Sequence, residues 1–110
     1  MAGSDLYSGS LDLLVLKALS WGPLHGYAVG KWIRQSTNDA LVVQEGALYP
    51  ALHRLERRRL LEEEWGVTDT NREAKFYRLT PAGRKYLRDE ILRWQKYERL
   101  MTAALAAGRL

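Results

Sequence analysis

The chain has 110 residues, of which 46% are hydrophobic and 27% are charged, proportions typical of one globular domain with a modest core. Seventeen Lys and Arg against thirteen Asp and Glu leave a net charge of +4, which favours a polyanionic partner only weakly. The absence of cysteine excludes disulfides, thiol catalysis and thiolate zinc sites, and it fits a reducing cytoplasm, where we expect this protein. The apolar run Leu11–Leu19 contains Asp12 and Lys17 and is too short to span a bilayer, so no membrane partner is expected.

The first predicted helix is apolar on almost every side. Ser8 or Ser10 is expected to cap it, with Asp12 in its first turn favouring the helix dipole. Leu13 and Leu16 lie off its main apolar face, which comprises Leu11, Leu14, Val15, Ala18 and Leu19. A helix of this kind must be covered on more than one side, and in so short a chain a second subunit is a natural cover.

Two further helices follow. Gly22-Pro23 ends the first helix, and the second is predicted over Gly26–Ser36, with Lys31 facing out and a buried stripe of Ala28, Val29, Trp32 and Ile33. The third begins between Glu45 and Leu48 and runs to about Arg58, and Pro50 must lie in its first turn or kink it. Its core stripe is Leu48, Leu52 and Leu55, and its opposite face holds Gly46, Tyr49, His53 and Arg57, with Pro50 and Arg54 at the margin.

A hairpin and a long helix complete the chain. Residues rich in β-favouring types predict strands at Leu61–Val67 and Ala74–Leu79, joined by the polar turn Thr68–Arg72. Thr80-Pro81 predicts a capped helix start, and the last helix runs toward Ala107, with Gly108 as its stop. Its apolar stripe comprises Leu87, Ile91, Trp94, Tyr97 or Glu98, Met101 and Leu105.

The order of these elements predicts a mainly α protein with a small two-stranded β wing. Three short helices with a basic third one, followed by a hairpin, are typical of a winged helix-turn-helix, whose third helix enters the major groove of DNA. Residues 1–80 would form this DNA-binding domain, and residues 81–110 a C-terminal dimerisation helix within the same compact unit.

Four segments in order resemble the PadR family of transcriptional regulators, in its subgroup with a short C-terminal helix. They are Gly9–Leu16 (GSLDLLVL), Gly22–Tyr27 (GPLHGY), Glu45–Glu56 (EGALYPALHRLE) and Tyr77–Gly83 (YRLTPAG). The resemblance implies a homodimer that binds operator DNA and represses neighbouring genes, with the C-terminal helix packed against the partner's first helix. It also implies a small aromatic or drug-like effector near the dimer interface.

The chain departs from the family pattern at two places. Arg59 stands where the family usually has glycine before the first wing strand, so a differently shaped turn is expected there. The acidic run Glu62–Glu64 on the wing strand would be unhelpful beside phosphates. We expect part of the basic run Arg57–Arg59 to pair with Glu56 or with this acidic run.

The predicted DNA-binding residues lie on the third helix and beside it. Tyr49, His53, Arg54 and Arg57 offer hydroxyl, ring and charged groups to base edges and phosphates, with Gly46 and Pro50 on the same side of the helix. Lys31, Arg72 and Lys75 would hold backbone phosphates. The alternatives left open are a solvated basic helix and ordinary surface charges.

The predicted dimer interface draws on the first and last helices, and comprises Leu13, Leu16, Leu87, Ile91, Trp94, Met101 and Leu105. Trp94 is either an interface residue or a stacking surface for a flat aromatic ligand. The other tryptophans, Trp21, Trp32 and Trp65, are expected to be packing residues.

The sequence predicts neither an enzyme nor a cofactor or metal. The two histidines, His25 and His53, have no second ligand at zinc spacing, and we expect His25 to cap or pack rather than to act as a base. No nucleophile elbow, phosphate loop or carboxylate pair stands out. The competing hypothesis is a winged-helix protein interaction module that binds no operator DNA, and the acidic wing run is its main support.

Overall fold

The computed structural model describes residues 9–108, and their order of elements confirms the prediction of three helices, a hairpin and a long helix. A single 3-10 turn, Leu19–Trp21, follows the first helix. The elements are α1 (Ser10–Ala18), β1 (Leu24–His25), α2 (Gly26–Ser36), α3 (Glu45–Arg57), β2 (Leu61–Val67), β3 (Glu73–Leu79) and α4 (Pro81–Leu105). No helix within these residues is long and apolar enough to cross a bilayer.

The cap of helix α1 is Gly9, one residue before Ser10, and not a serine. Gly9 holds the cap position in a left-handed conformation with φ of 85°, and its carbonyl accepts the amide hydrogen of Leu13 at 3.1 Å. Ser10 is the first helical residue, so its predicted role as the cap is wrong, and Ser8 lies outside the described residues. Glycine takes a left-handed conformation without the steric cost of a Cβ, so a start at Gly9 needs no side-chain cap.

Helix α1 lies at the centre of the core, because it packs against α2, α3 and α4 of the same chain. Val15, Leu16 and Leu19 are fully buried, whereas Leu13 and Leu14 are only half-buried. Leu16 is therefore not available to a partner, and its place in the predicted dimer interface is corrected. The apolar character of α1 on all sides is explained in large part by burial within one subunit.

The sheet has three strands rather than the predicted two. Strands β2 and β3 form the antiparallel wing, and β1 pairs with the other edge of β3 through Leu24 opposite Tyr77 and His25 opposite Phe76. A strand of two residues is too short to show an alternating pattern, which is why the sequence did not predict it. Strand β1 holds the start of α2 against the wing.

Helix α2 has the predicted bounds, and His25 caps it. The imidazole Nδ1 of His25 accepts the amide hydrogen of Ala28 at 3.3 Å, so this histidine caps and packs as expected. Val29 and Ile33 are fully buried, while Trp32 is half-buried against the ring of Trp21.

Helix α3 buries the predicted leucine stripe, with Leu52 and Leu55 fully enclosed. Pro50 is its sixth residue and lies in the second turn, so the first of the two predicted alternatives, a first-turn position, is not the one found. Proline has no amide hydrogen for the carbonyl of Gly46 four residues earlier. Gly46 is exposed, so water can bind that carbonyl and the helix continues to Arg57.

The junction between α3, β2 and α4 is held by Arg59, Thr80 and Gly83. Arg59 adopts φ of 61°, in the left-handed region that favours glycine, so the arginine accepts a backbone conformation that a glycine would take at lower cost. The hydroxyl of Thr80 donates to the carbonyl of Arg59 at 2.7 Å and accepts from the amide of Gly83 at 2.9 Å. A Cβ on Gly83 would overlap the carbonyl oxygen of Leu60, so α4 can approach this turn only with glycine there.

Helix α4 is packed at its start and exposed along the rest. Leu87 is buried and Ile91 is half-buried against the core, whereas residues 92–108 are all exposed. Leu87 therefore belongs to the core of its own subunit, which corrects its place in the predicted dimer interface. The helix ends at Leu105 with Ala106 at the cap position, so Gly108 is not its stop.

Replacing Arg59 by glycine is expected to stabilise the fold. A left-handed conformation costs a residue with a side chain about 1–2 kcal/mol, and the greater freedom of glycine in the unfolded chain offsets roughly half of that. We expect Arg59→Gly to raise the melting temperature by about 2–6 °C in thermal unfolding followed by circular dichroism. Arg57→Gly, a matched change inside α3, should lower it; an unchanged or lower value for Arg59→Gly would contradict the argument.

Candidate nucleic-acid interface

The outer face of α3 carries the polar residues that the helical period predicts there. Gly46, Pro50, His53 and Arg57 are exposed, and Tyr49 is half-buried. The opposite face packs on α1, since Leu52 and Leu55 are fully enclosed. Helix α3 therefore presents a continuous polar surface of about three turns to solvent.

Tyr49 joins α3 to the start of α2. A Cβ built on Gly26 would lie 2.7 Å from the Cε1 atom of Tyr49 and 2.8 Å from its hydroxyl oxygen, so the ring rests directly on the Gly26 backbone. Gly26 is the first residue of α2, and only glycine permits this approach. The position of Tyr49 is thus set by close packing and not by rotamer preference alone.

The wing extends the same surface. An open cleft of about 330 Å³ lies between α2, α3 and β3, and its lining includes Tyr27, Tyr49, His53 and Lys75. The structure therefore brings together two α3 residues and one wing residue that the sequence predicted for the site. Tyr27 was not predicted, although it is 71% exposed.

A second cleft, of about 150 Å³, runs between α2 and α3. Its lining includes Tyr27, Lys31, Arg34, Glu45 and Tyr49. Tyr27, Lys31 and Arg34 follow one another at steps of four and three along α2, so helical spacing was a signal that could have identified Tyr27. Lys31 is exposed beside the ring of Tyr49, as a phosphate-binding residue would be.

Two of the predicted cations are engaged within the subunit. Arg54 binds Asp12 on α1 at 2.8 Å, and Lys75 binds Glu63 on β2 at 3.4 Å. Within residues 9–108, no ion pair involves Lys31, Arg57 or Arg72. These three cations keep their full charge for an outside partner, whereas Arg54 and Lys75 are partly neutralised.

The carboxylates of the acidic run Glu62–Glu64 pair with cations of strand β3 and not with the basic run Arg57–Arg59. Glu62 and Glu64 each lie 3.1 Å from Arg78, on the sheet face away from the core, and these carboxylates raise the pKa of Arg78. Arg58 instead lies over the ring of Tyr86 at 4.7 Å. Within residues 9–108 no ion pair joins Arg57–Arg59 to Glu56 or to the acidic run, so that expected pairing is wrong. Strand alternation turns Glu62 and Glu64 away from α3, and Glu63 binds Lys75 instead.

Glu56 and Glu63 form a carboxyl pair between α3 and the wing. Burial raises the pKa of Glu56, and a hydrogen bond with Glu63 raises it further. His53 and Lys75 act in the opposite direction, since positive charge favours the carboxylate. Both carboxyl groups thus lie within the electrostatic reach of His53 and Lys75, at the junction of α3 and the wing.

Comparison with known proteins agrees with this architecture. The model of the transcriptional regulator PadR-like family matches residues 15–89. The chain belongs to this family of transcriptional regulators. A solved transcriptional regulator from Clostridium thermocellum is 30% identical, with a TM-score of 0.80 over 90% of this chain and 96% of that one.

Two other relatives are informative. PadR from Bacillus subtilis, solved in complex with operator DNA, is 25% identical, with a TM-score of 0.65 over 74% of this chain and 46% of that one. A transcriptional regulator of Mycobacterium tuberculosis is 44% identical over 62 residues, which are 56% of this chain and 57% of that protein. The family resemblance and the winged-helix fold expected from the sequence are thus confirmed.

This PadR-like chain also exposes an apolar surface along α1 and α4. Trp94, Met101 and Leu105 are 43%, 39% and 75% exposed, while Leu13 and Ile91 are half-buried. Two open clefts of about 450 and 430 Å³ lie between these helices, and Leu13 and Trp94 line both. The Trp94 ring packs 5.6 Å from that of Tyr97.

Two of the three remaining tryptophans, Trp21 and Trp65, differ from expectation, whereas half-buried Trp32 packs as predicted. Trp21 and Trp65 are 70% and 69% exposed, so their interpretation as packing residues is wrong. Trp21 keeps contacts with Trp32 and with the ammonium group of Lys17, whereas Trp65 stands on the wing beside Lys75. The pattern of a strand or helix predicts which way a side chain points, but it does not predict whether other residues cover that side chain.

The carboxyl pair predicts a pH-dependent stability. Because the folded protein holds the pKa of Glu56 above its usual value of 4.5, folding favours the protonated acid, and this contribution is lost as pH rises above that value. Glu56→Gln should therefore raise the melting temperature at pH 7, by roughly 1–3 °C, and much less at pH 4. Glu62→Gln, which breaks an ion pair, should give no gain; an equal gain at both pH values would refute the role of the pair.

Proposed function

We propose that this PadR-like regulator is a homodimer that binds double-stranded operator DNA and represses the genes beside it. The observation that carries the proposal is the exposed polar face of α3, flanked by Lys31 on one side and by the wing on the other. The operator complex of the Bacillus subtilis relative supports DNA as the partner. The protein would act in the cytoplasm, without a cofactor or catalytic site.

Each residue of the surface has a proposed role. Tyr49, His53 and Arg57 would contact base edges in the major groove, and exposed Gly46 and Pro50 would let the helix approach closely. Lys31 and Arg72 would bind phosphates. Arg54 and Lys75 stay in the proposed site as weaker phosphate contacts, since each must share its charge with a carboxylate of its own subunit.

The dimer would form through the apolar surface of α1 and α4. Leu13, Ile91, Trp94, Met101 and Leu105 are its proposed contacts, and large exposed apolar patches of this kind are typical of interfaces. A twofold axis would present two α3 helices to successive major grooves of a pseudo-palindromic site. A dimer on such a site would block transcription by occlusion.

A small effector would act by shifting the dimer to a state that fits DNA less well. Trp94 is the proposed contact, because its ring lines both clefts between α1 and α4 and lies beside Tyr97. A planar aromatic molecule is the chemistry that such a surface would bind.

The alternative function is a protein interaction module that binds no operator DNA. Its main argument was the acidic wing run, and Arg78 and Lys75 pair with the three carboxylates of that run, which leaves it one surplus negative charge instead of three. Retention on random duplex DNA at low salt discriminates the two functions, because an interaction module would flow through.

Dimerisation is tested by charge placed on the proposed interface. Met101→Asp should give a monomer in light scattering at micromolar concentration, because dimerisation would bury an unpaired carboxylate. Ile91→Asp should do the same, although Ile91 also packs on the core of its own subunit. Leu92→Asp is the matched control, since Leu92 is 65% exposed on the opposite face of α4. A wild-type monomer would contradict the proposal.

The effector site is tested by tryptophan fluorescence. A panel of planar cations and phenolic acids should contain compounds that quench the wild-type protein, and this quenching should be lost in Trp94→Ala. Trp32→Phe serves as a control away from the clefts. If every compound quenches Trp94→Ala as it quenches the wild type, Trp94 is an interface residue only.

DNA recognition is tested on a duplex selected from a random pool and on its scrambled form, at several salt concentrations. The half-sites should lie about 10 bp apart. Tyr49→Ala and His53→Ala should weaken binding to the selected duplex by about 1–3 kcal/mol and affect the scrambled one less.

Lys31→Ala and Arg72→Ala should weaken both duplexes about equally and reduce the salt dependence, because fewer counterions are released. Arg88→Ala, an exposed change on α4, is the matched control. Wild-type affinity and specificity in both Tyr49→Ala and His53→Ala would show that α3 does not read the DNA.

A further inference from the structure

Trp65 is a large aromatic residue that the fold leaves uncovered. Its ring is 69% exposed, and the neighbouring apolar residue Val67 is 60% exposed. Both lie on the wing strand β2, on the same strand face as buried Leu61, whose cross-strand partner is Leu79. Strand alternation therefore turns Trp65 and Val67 to the side of the sheet on which the helices pack.

That side of the wing continues the surface of α3. Glu63, two residues before Trp65 on the same strand face, lies close enough to Glu56 of α3 to raise the pKa of that carboxyl group, and β2 packs against α3. Lys75, the cross-strand partner of Trp65, lines the cleft that also contains Tyr49 and His53. Trp65 thus stands about 7 Å further along the strand than the carboxyl pair, at the outer margin of the proposed DNA surface.

The cation beside the Trp65 ring is not free, because it is bound to a carboxylate. The ammonium group of Lys75 lies 5.8 Å from the centre of the Trp65 ring and is bound to Glu63 at 3.4 Å. Glu62 and Glu64 are bound to Arg78 on the other face of the sheet. Beside α3 the wing therefore offers an aromatic surface flanked by the Lys75–Glu63 pair and by Glu73, the cross-strand partner of Val67, and not a cationic surface.

We propose that Trp65, supported by Val67, makes an apolar contact in the minor groove that flanks each half-site. The proposal rests on the DNA binding proposed above. The groove next to the one that holds α3 is a minor groove, about half a helical turn away. Apolar side chains in a minor groove contact sugars and base edges, and they bind best where the base steps deform easily.

This contact differs from a phosphate contact in a way that can be measured. A neutral ring displaces no counterions, so its loss weakens binding without changing the salt dependence. It also gives the protein a preference for flexible TA or CA steps at a flank that no α3 side chain reaches. The wing would then contribute sequence preference through DNA shape, while Lys31 and Arg72 contribute the salt-dependent part.

The test is titration of wild type, Trp65→Ala and Trp21→Ala against the selected duplex, with either a TA step or an A-tract at each flank. Trp21 is the matched control, because it is 70% exposed and lies in the 3-10 turn after α1. Trp65→Ala should bind the TA-flanked duplex about tenfold more weakly, as expected for loss of one aromatic contact to nucleic acid. Its salt slope should equal that of wild type, and its preference between the flanks should disappear, while Trp21→Ala behaves as wild type.

Hydroxyl-radical footprinting of the wild-type complex provides a second measurement that does not depend on the folding of any variant. The deoxyriboses of the flanking minor groove should be protected. If wild type binds the duplex but this groove is unprotected, or if Trp65→Ala retains wild-type affinity, Trp65 does not contact DNA and the exposed ring faces a protein partner. If wild type does not bind any duplex, the proposed function itself fails.

Discussion

The burial of α1 on several sides is the constraint on which the rest of this structure depends. Val15 and Leu16 are fully buried where α1 packs against α2, α3 and α4, and burying a side chain of this size contributes about 1.5–3 kcal/mol each. With its inner face committed to α1, helix α3 has one face left for solvent, and that face holds Tyr49 and His53. The candidate site is thus a consequence of how the core is packed.

The same helix links the candidate DNA surface to the exposed apolar surface. Asp12 on α1 holds Arg54 on α3, while Leu13, the next residue, faces the clefts beside α4. A partner or ligand that moved α1 would therefore act on α3 through one ion pair and a shared core. The glycine-only contact of Gly26 with Tyr49 extends this rigid connection to α2.

The wing differs from the helices in that its charged residues pair with one another across the strands. Its cations pair across the strands, Arg78 with Glu62 and Glu64 and Lys75 with Glu63. Four glutamates against two cations still leave β2 and β3 without any surplus positive charge to offer beside α3. Exposed ion pairs of this kind contribute little to stability. Their effect lies in the electrostatic surface, where cationic attraction is left to Lys31, Arg57 and Arg72 and the wing presents Trp65.

Three features could be predicted from local patterns of a few adjacent residues: the order of the elements, the two faces of α3 and the start of α4 at Thr80-Pro81. Three others depend on contacts between residues far apart in the chain: the strand β1, the pairing of Arg54 with Asp12 and the burial of Leu16 and Leu87 within one chain. The same holds for the exposure of Trp65. Periodicity states where a side chain points relative to its own helix or strand, whereas burial and pairing depend on residues far away in the chain that come to lie opposite it.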